Sequence, residues 1–163
     1  MHKFRFIVLC LSLICGAGTA VAQGTNVGFG DVQPDPDAPV EVTADTLDLD
    51  QETGEAVFEG NVLVSQGLMR LTAPRLLVVY RSRGGIERLE ATGGGVILVS
   101  GEDAAEADRA DYTIDNGVVV MTGNVLLTQG PNVLSAQRMA VNLVTGTAQM
   151  TGRVKTILNP KSK

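Results

Sequence analysis

Cysteine and histidine are nearly missing from this chain. Its 163 residues include two Cys and one His, and all three (His2, Cys10 and Cys15) fall within the first 15 positions. Downstream of them, no Ser-His-Asp or Cys-His nucleophile system can be assembled. A zinc or copper site built on His or Cys is excluded for the same reason. No disulfide framework is available either, so the rest of the chain must be held by its core. Trp is absent, and four Phe and two Tyr leave little aromatic surface. That scarcity argues against proteins that stack nucleic-acid bases and against sugar-binding clefts built around paired carboxylates. No G-x-x-x-x-G-K-[ST] segment occurs, so no nucleotide-driven motor is evident. Positive charge is scarce as well: 13 Lys and Arg face 18 Asp and Glu, for a net charge of -5. Neutralising a phosphate backbone needs clustered bases, so nucleic acid is not an expected partner. Nothing in this inventory calls for a catalytic residue, a metal or a cofactor.

The first 22 residues read differently from the rest. Met1-His2-Lys3-Phe4-Arg5 is a short basic start, Phe6 to Cys15 is apolar apart from Ser12, and Ala20-Val21-Ala22 forms an A-x-A site. Together these are the parts of a secretory signal peptide cleaved after Ala22, which removes both cysteines and the histidine. A retained membrane anchor is the alternative, but the apolar run ends early in Gly16-Ala17-Gly18-Thr19 and is short for a span of about 20 residues. A lipoprotein reading is weakened by bulky Ile14 ahead of Cys15. Residues 23–39 follow as an expected flexible leader, with Gly24, Gly28, Gly30, Pro34, Pro36 and Pro39 among scattered Asp.

From Val40 onward the chain repeats itself. GNVLVSQG at 60–67 matches GNVLLTQG at 123–130, and the same 63-residue offset aligns Ala44-Asp45 with Ala107-Asp108, Leu71 with Leu134 and Arg75 with Arg138. An offset of 29 carries Ala107, Gly117, Gly123 and Val125 onto Ala136, Gly146, Gly152 and Val154. Four units result, starting near Ala44, Ala73, Ala107 and Ala136. Periods of ~20–50 residues mark architectures in which no unit buries its apolar face alone. Each unit is a strand, a Gly-containing turn (Glu52-Thr53-Gly54, Arg83-Gly84-Gly85, Asn116-Gly117 or Thr145-Gly146) and a second strand. Alternation of Val, Leu and Ile with polar residues supports antiparallel β structure throughout. The Ala-rich stretch from Glu102 to Ala110 is expected to be a loop or a single helical turn.

Four hairpins can fold into two facing sheets or a flattened, open roll. Parity places Phe58, Val62, Val64, Met121, Val125 and Leu127 on the apolar faces. Alternation adds Leu76, Val78, Val96, Leu98, Tyr112 and Ile114. These side chains can pack into a dry core. Alternatively, the many small residues can line a gap that they do not fill. Asp48, Asp50, Glu52 and Glu59 have EF-hand-like spacing, but Thr53 stands where that loop needs Gly, so they read as exposed strand carboxylates. Charge is also polarised. Asp31 to Glu59 holds ten acids and no base, and Pro131 to Lys163 holds five bases and no acid. A repeat β-protein with unlike ends and open edges invites head-to-tail strand addition.

Val40-Glu41-Val42-Thr43-Ala44-Asp45, the repeated G-N-V-x-[VL]-x-Q-G motif and the A-x-R triplets carry a resemblance to the OstA-like family of periplasmic lipopolysaccharide-transport proteins. It covers residues 40–158 and leaves 159–163 as a basic tail. The resemblance implies an all-β fold of antiparallel hairpins: an open, V-shaped, trough-like β-jelly-roll. It implies a non-enzymatic bridge that carries lipopolysaccharide across the periplasm of a Gram-negative bacterium, with lipid A acyl chains held in the trough. Val40 and Val42 match lipid-contacting positions of the family's first strand, and the parity residues above would complete the lining. Expected partners are lipopolysaccharide, further copies joined head to tail, and inner- and outer-membrane Lpt components of the same fold. The expected mating ends are Val40, Glu41, Val42, Thr43 and Asp45 on one side and Arg153, Val154, Lys155 and Thr156 on the other. A membrane-anchored relative of the same fold and a structural β-repeat protein that binds no lipid are the alternatives.

Overall fold

The computed structural model describes residues 24–30 and 38–158. The expected signal peptide and basic tail lie outside the described residues. The described residues form thirteen antiparallel strands. They are β1 (Thr25–Gly28), β2 (Glu41–Thr43), β3 (Thr46–Asp50), β4 (Glu55–Gln66), β5 (Met69–Tyr80), β6 (Ile86–Thr92), β7 (Val96–Ser100), β8 (Asp103–Ala107), β9 (Arg109–Thr113), β10 (Val118–Gln129), β11 (Asn132–Asn142), β12 (Thr147–Thr151) and β13 (Lys155–Ile157).

The pairing resolves into eight ribbons that meander in chain order, each antiparallel to the next. Four ribbons are single long strands, β4, β5, β10 and β11. The other four are the interrupted pairs β2/β3, β6/β7, β8/β9 and β12/β13. Every ribbon turns a corner near its middle, so the pairing divides into two sheets. The first consists of β3, the start of β4, the end of β5, β6, β9, the start of β10, the end of β11, β12, and β1 on the far edge of β12. The second consists of β2, the end of β4, the start of β5, β7, β8, the end of β10, the start of β11, and β13.

The four sequence units are the four hairpins, and their repeated residues are the corners. The backbone N–H of Asp45, Asp108 and Gln137 donates to the carbonyl of Gly60, Gly123 and Gly152 at 2.9, 3.0 and 2.9 Å. Pro74 holds the equivalent place opposite Gly93 and has no N–H to give. In the first and third units the Asn of G-N-V closes the corner with its side chain. Asn61 Nδ2 donates to Asp45 Oδ2 at 2.8 Å, and Asn124 Nδ2 to Asp108 Oδ2 at 2.9 Å. The chain bulges there, with register shifts between Glu59 and Val62 and between Thr122 and Val125. Gly60 and Gly123 have φ of +77° and +80°, and a Cβ on either would run into the partner Asp carboxylate. Glycine is therefore dictated twice over, by backbone conformation and by space.

Two expectations are corrected. Glu102–Ala110 is neither loop nor helical turn: it forms β8 and the start of β9. Ala105, Ala107 and Ala110 all point into the core, and cross-strand pairing on both sides outweighs the helical preference of alanine. Nor is the span 23–39 merely a leader. Thr25–Gly28 pairs antiparallel with β12, and Phe29 is buried in the core.

Candidate functional site: the apolar interior between two sheets

The inward faces of the two sheets meet in one apolar cluster running the length of the molecule. Alternation builds it from strand to strand: Val62, Val64, Val96, Leu98, Val125 and Leu127 come from the second sheet. Leu76, Val78, Tyr112, Met121, Met139 and Met150 come from the first. Gln66 and Ser100 are the buried polar residues among those described.

All fourteen residues expected to line the interior lie in or against this cluster. Ten of them, Val62, Val64, Leu76, Val78, Val96, Leu98, Tyr112, Met121, Val125 and Leu127, are no more than 4% exposed. Val40, Val42, Phe58 and Ile114 pack against it half-buried. Sequence reading missed Met139 and Val141, although the 63-residue offset applied to Leu76 and Val78 points straight at them. It also missed Leu134, the repeat partner of Leu71. In this conformation the gap between the sheets is closed, because small Ala and adaptable Met side chains fill it.

Contacts between the tips of the two sheets hold the interior shut. The hydroxyl of Tyr112, on β9 in the first sheet, donates to Gln66 Oε1 at the end of β4 in the second, at 2.7 Å. Gln66 Nε2 then donates to the carbonyl of Ala38 at 3.1 Å. Burial raises the pKa of the Tyr112 hydroxyl, so it stays protonated and able to donate. Gln129, the repeat partner of Gln66, likewise ties the N-terminal segment, donating to the carbonyl of Gly28 at 2.7 Å and to Asp103 Oδ2 at 2.9 Å.

The two ends of the interior differ. At the β2/β3 end the apolar surface emerges into solvent. Leu47 and Leu49 pair opposite Phe58 and Ala56 on the inward face, yet are 54% and 59% exposed. At the other end β1 covers β12, and Met150 and Ala148 beneath it are buried. The expected mating segments occupy opposite edges of the second sheet. Glu41 and Thr43 lie on β2, whose one partner is β4, and Lys155 and Thr156 lie on β13, which pairs with β11. Asp45 sits at a corner with its carboxylate engaged by Asn61. Val154 is half-buried, and Arg153 turns the last corner at φ +49°.

Elsewhere the outer surface mixes single exposed apolar side chains, such as Leu68 and Val144, with charged clusters that serve the fold. Arg109 contacts Glu90 at 2.7 Å and Asp111 at 2.6 Å, and the hydrogen bond from Arg88, followed by that from Arg109, holds the Glu90 carboxyl below its ordinary pKa. Asp50 accepts the backbone N–H groups of Glu52 and Thr53 in the first turn. It acts there as a turn former, consistent with an exposed strand carboxylate. Two clefts of about 540 and 400 Å³ lie at the bulges of β4 and β10, lined at repeat-equivalent positions by Asn61 and Ala73, and by Asn124 and Ala136.

Residues 41–147 match the family model described as LptA/(LptD N-terminal domain) LPS transport protein. This chain belongs to that family. It is 32% identical over 115 residues to uncharacterized protein R00383 of Rhizobium meliloti, covering 66% of this chain and 61% of that protein. It is 28% identical over 129 residues to lipopolysaccharide export system protein LptA of Escherichia coli K12, covering 75% of this chain and 68% of LptA. The match therefore spans about three fifths to two thirds of these relatives. Among solved structures, the crystal structure of LptH is similar, with a TM-score of 0.70 at 19% identity, covering 78% of this chain and 99% of that one. LptH is described as the LptA-homologous periplasmic component of the lipopolysaccharide transport device of Pseudomonas aeruginosa. The likeness shows the β-jelly-roll fold.

Proposed function

We propose that this chain is a periplasmic, non-enzymatic lipopolysaccharide carrier, which holds lipid A acyl chains between its two sheets and joins copies and Lpt partners end to end. The observation that carries this reading is the continuous apolar cluster in a member of a lipopolysaccharide-transport family. It runs from Ala56 and Phe58, beside the exposed Leu47 and Leu49 at one end, to Met150 at the other, with two buried polar residues among those described. Each CH₂ withdrawn from water contributes roughly 0.8 kcal/mol, so an acyl chain of ~14 carbons would lose on the order of 10 kcal/mol on entering water. A carrier has to replace the bilayer with apolar surface, and it needs no reacting group to do so. Because the interior is closed in this conformation, uptake requires the sheets to part. The rim residues Val40, Val42, Phe58, Leu47 and Leu49 would meet the acyl chains first.

A structural protein with a permanently dry core is the second reading, favoured by the near-zero exposure of the ten central residues. Lipid capture decides between them. The exported protein is mixed with lipopolysaccharide and, separately, with phospholipid, and the lipid co-eluting with folded protein is quantified. The expected result is saturable lipopolysaccharide binding, reduced at least tenfold by Phe58→Asp or Leu49→Asp. These rim positions are chosen because a charge at Val62 or Val125 would be buried and would unfold the protein. No binding by folded protein would overturn the carrier reading. Sequencing the exported protein's N-terminus tests the cleavage site: Gln23 as first residue fits a soluble bridge, whereas an intact N-terminus fits the membrane-anchored relative.

A further inference from the structure

We infer that β1 is a built-in stand-in for a second copy: it occupies the edge of β12 that β3 of the next molecule would pair with, and must leave for copies to join. The inference rests on the end-to-end reading above. Its starting point is strand parity. Without β1, each sheet contains eight strands, all pairing antiparallel. An even count means that β3 at one edge of the first sheet and β12 at the other run in opposite directions. A copy placed head to tail therefore presents its β3 antiparallel to β12, and its β2 antiparallel to β13, so both sheets continue at once. β1 is the ninth strand of the first sheet and has no counterpart in the second among the described residues. It fills the place the next β3 would take.

The side chains fit the same exchange. β1 sets Thr25 opposite Met150 and Val27 opposite Ala148. In the same register, β3 would set Leu47 opposite Met150 and Leu49 opposite Ala148. Two leucines that are more than half exposed on the free monomer would thereby cover more apolar surface than the threonine and valine they replace. β12 carries no acid to repel Asp48 and Asp50 of an incoming β3. β1 itself is short: it has four residues, of which Val27 alone is half-buried. Its anchors lie at its end: the Phe29 side chain is buried in the core, and three hydrogen bonds accompany it. Phe29 N–H donates to Gly146 O at 2.9 Å, Gly30 N–H to Asp103 Oδ2 at 2.8 Å and Gln129 to Gly28 O at 2.7 Å. These anchors tie the tip of the first sheet, at Gly146, to that of the second, at Asp103 and Gln129. Release of β1 would therefore free the edge and loosen the closed interior together.

A reversible lock tests this. Asn26 and Gln149 are directly opposed and exposed, and no cysteine occurs beyond position 15, so Asn26→Cys with Gln149→Cys in the exported protein gives one disulfide. Self-association is followed by sedimentation velocity over a concentration series, oxidised and reduced. The oxidised form should stay monomeric where the reduced form and the unaltered protein assemble. Val27→Asp, which sets a charge against Ala148, should assemble at roughly tenfold lower concentration, as expected for ~1.4 kcal/mol. Equal assembly of oxidised and reduced forms overturns the inference and leaves end-to-end joining intact. Disulfide-linked dimers on a non-reducing gel overturn it too, because β1 would then be crossing between copies. If neither the reduced form nor Val27→Asp assembles at any concentration, both the inference and the end-to-end reading fail.

Discussion

Tyr112→Phe should weaken the fold and strengthen lipid binding by the same amount. The Tyr112 hydroxyl donates to Gln66 Oε1 at 2.7 Å, linking the tips of the two sheets, and both residues are 4% exposed. A buried hydrogen bond of this kind contributes about 1 kcal/mol net to stability. Unfolding breaks it, and on the proposed function so would parting the sheets to admit an acyl chain. Removing the hydroxyl leaves the ring, and hence the apolar contact with lipid, unchanged. If the closed form predominates without lipid, the lipid-competent fraction rises about fivefold when ~1 kcal/mol of closure is lost, and the apparent Kd falls by the same factor. Two titrations suffice. Urea unfolding should show a midpoint lowered by roughly 0.5 M, for a slope of ~2 kcal/mol/M. A fluorescent lipopolysaccharide titration should show the tighter Kd. A lowered urea midpoint with unchanged or weaker lipid binding would refute the reasoning, since opening would then not pass through this bond.

Three further outcomes follow from the same geometry. Gly60→Ala and Gly123→Ala should each cost ~2–3 kcal/mol in urea unfolding, combining about 1–2 for a left-handed alanine with the loss of the Asn–Asp bond. Gly28→Ala, with no neighbour within 4 Å of the added Cβ, should stay within ~0.5 kcal/mol. Burial raises the Tyr112 pKa above its ordinary value of 10.0, so above pH about 10 the unfolded chain releases this proton while the folded chain keeps it. Stability should therefore fall as pH rises through that range, and Tyr112→Phe should lack this component of the fall in a pH series of melts. At the last corner Gln137 and Arg153 stand where Asp108 and Asn124 stand in the preceding unit. Gln137→Asp with Arg153→Asn should install the missing side-chain bond and raise stability by ~0.5–1.5 kcal/mol, read from the same unfolding curves.

Alternation and repetition made most of the strand plan legible, because both follow from one requirement: every ribbon must send alternate residues to a shared core. The four units beginning at Ala44, Ala73, Ala107 and Ala136 are the four hairpins, and their repeated Asp, Gly and Asn residues are the corners. Less legible was why Gly and Asn recur: they serve backbone geometry at bulges, which no hydrophobic pattern encodes. The alanines of β8 misled because their local preference is helical, whereas two neighbouring strands decide their conformation. β1 could not be read at all, since Thr25-Asn26-Val27-Gly28 holds a single apolar residue, too few to show alternation, and becomes a strand by lying on β12. The interior lining was found by parity. Its closure was not, because packing between facing sheets depends on how Met121, Met139 and Met150 fill space, and composition leaves that open.

The corner line shows how one short chain can close its own core and still keep two free-edged ends, as the proposed end-to-end joining would require. A flat sheet of eight strands would expose one apolar face, and a closed barrel would have no edges to offer. Bending every ribbon at its middle lets a single meander bury its own inward face while both sheet edges remain at the ends. Internal duplication makes this cheap, since one hairpin with two mating corners, copied, yields an even number of ribbons. Evenness then fixes the polarity of the ends: each molecule presents β2 and β3 at one end and β12 and β13 at the other, running in opposite senses. Such ends cannot satisfy each other within one molecule, because the whole width of the sheet separates them, but under the proposed end-to-end joining a translated copy would satisfy them at once. A chain of this kind, left alone, carries the aggregation hazard of any open edge. Covering β12 with β1, while β3 is left short and charged with Asp48 and Asp50, is a physical answer to that hazard that would leave the proposed assembly open.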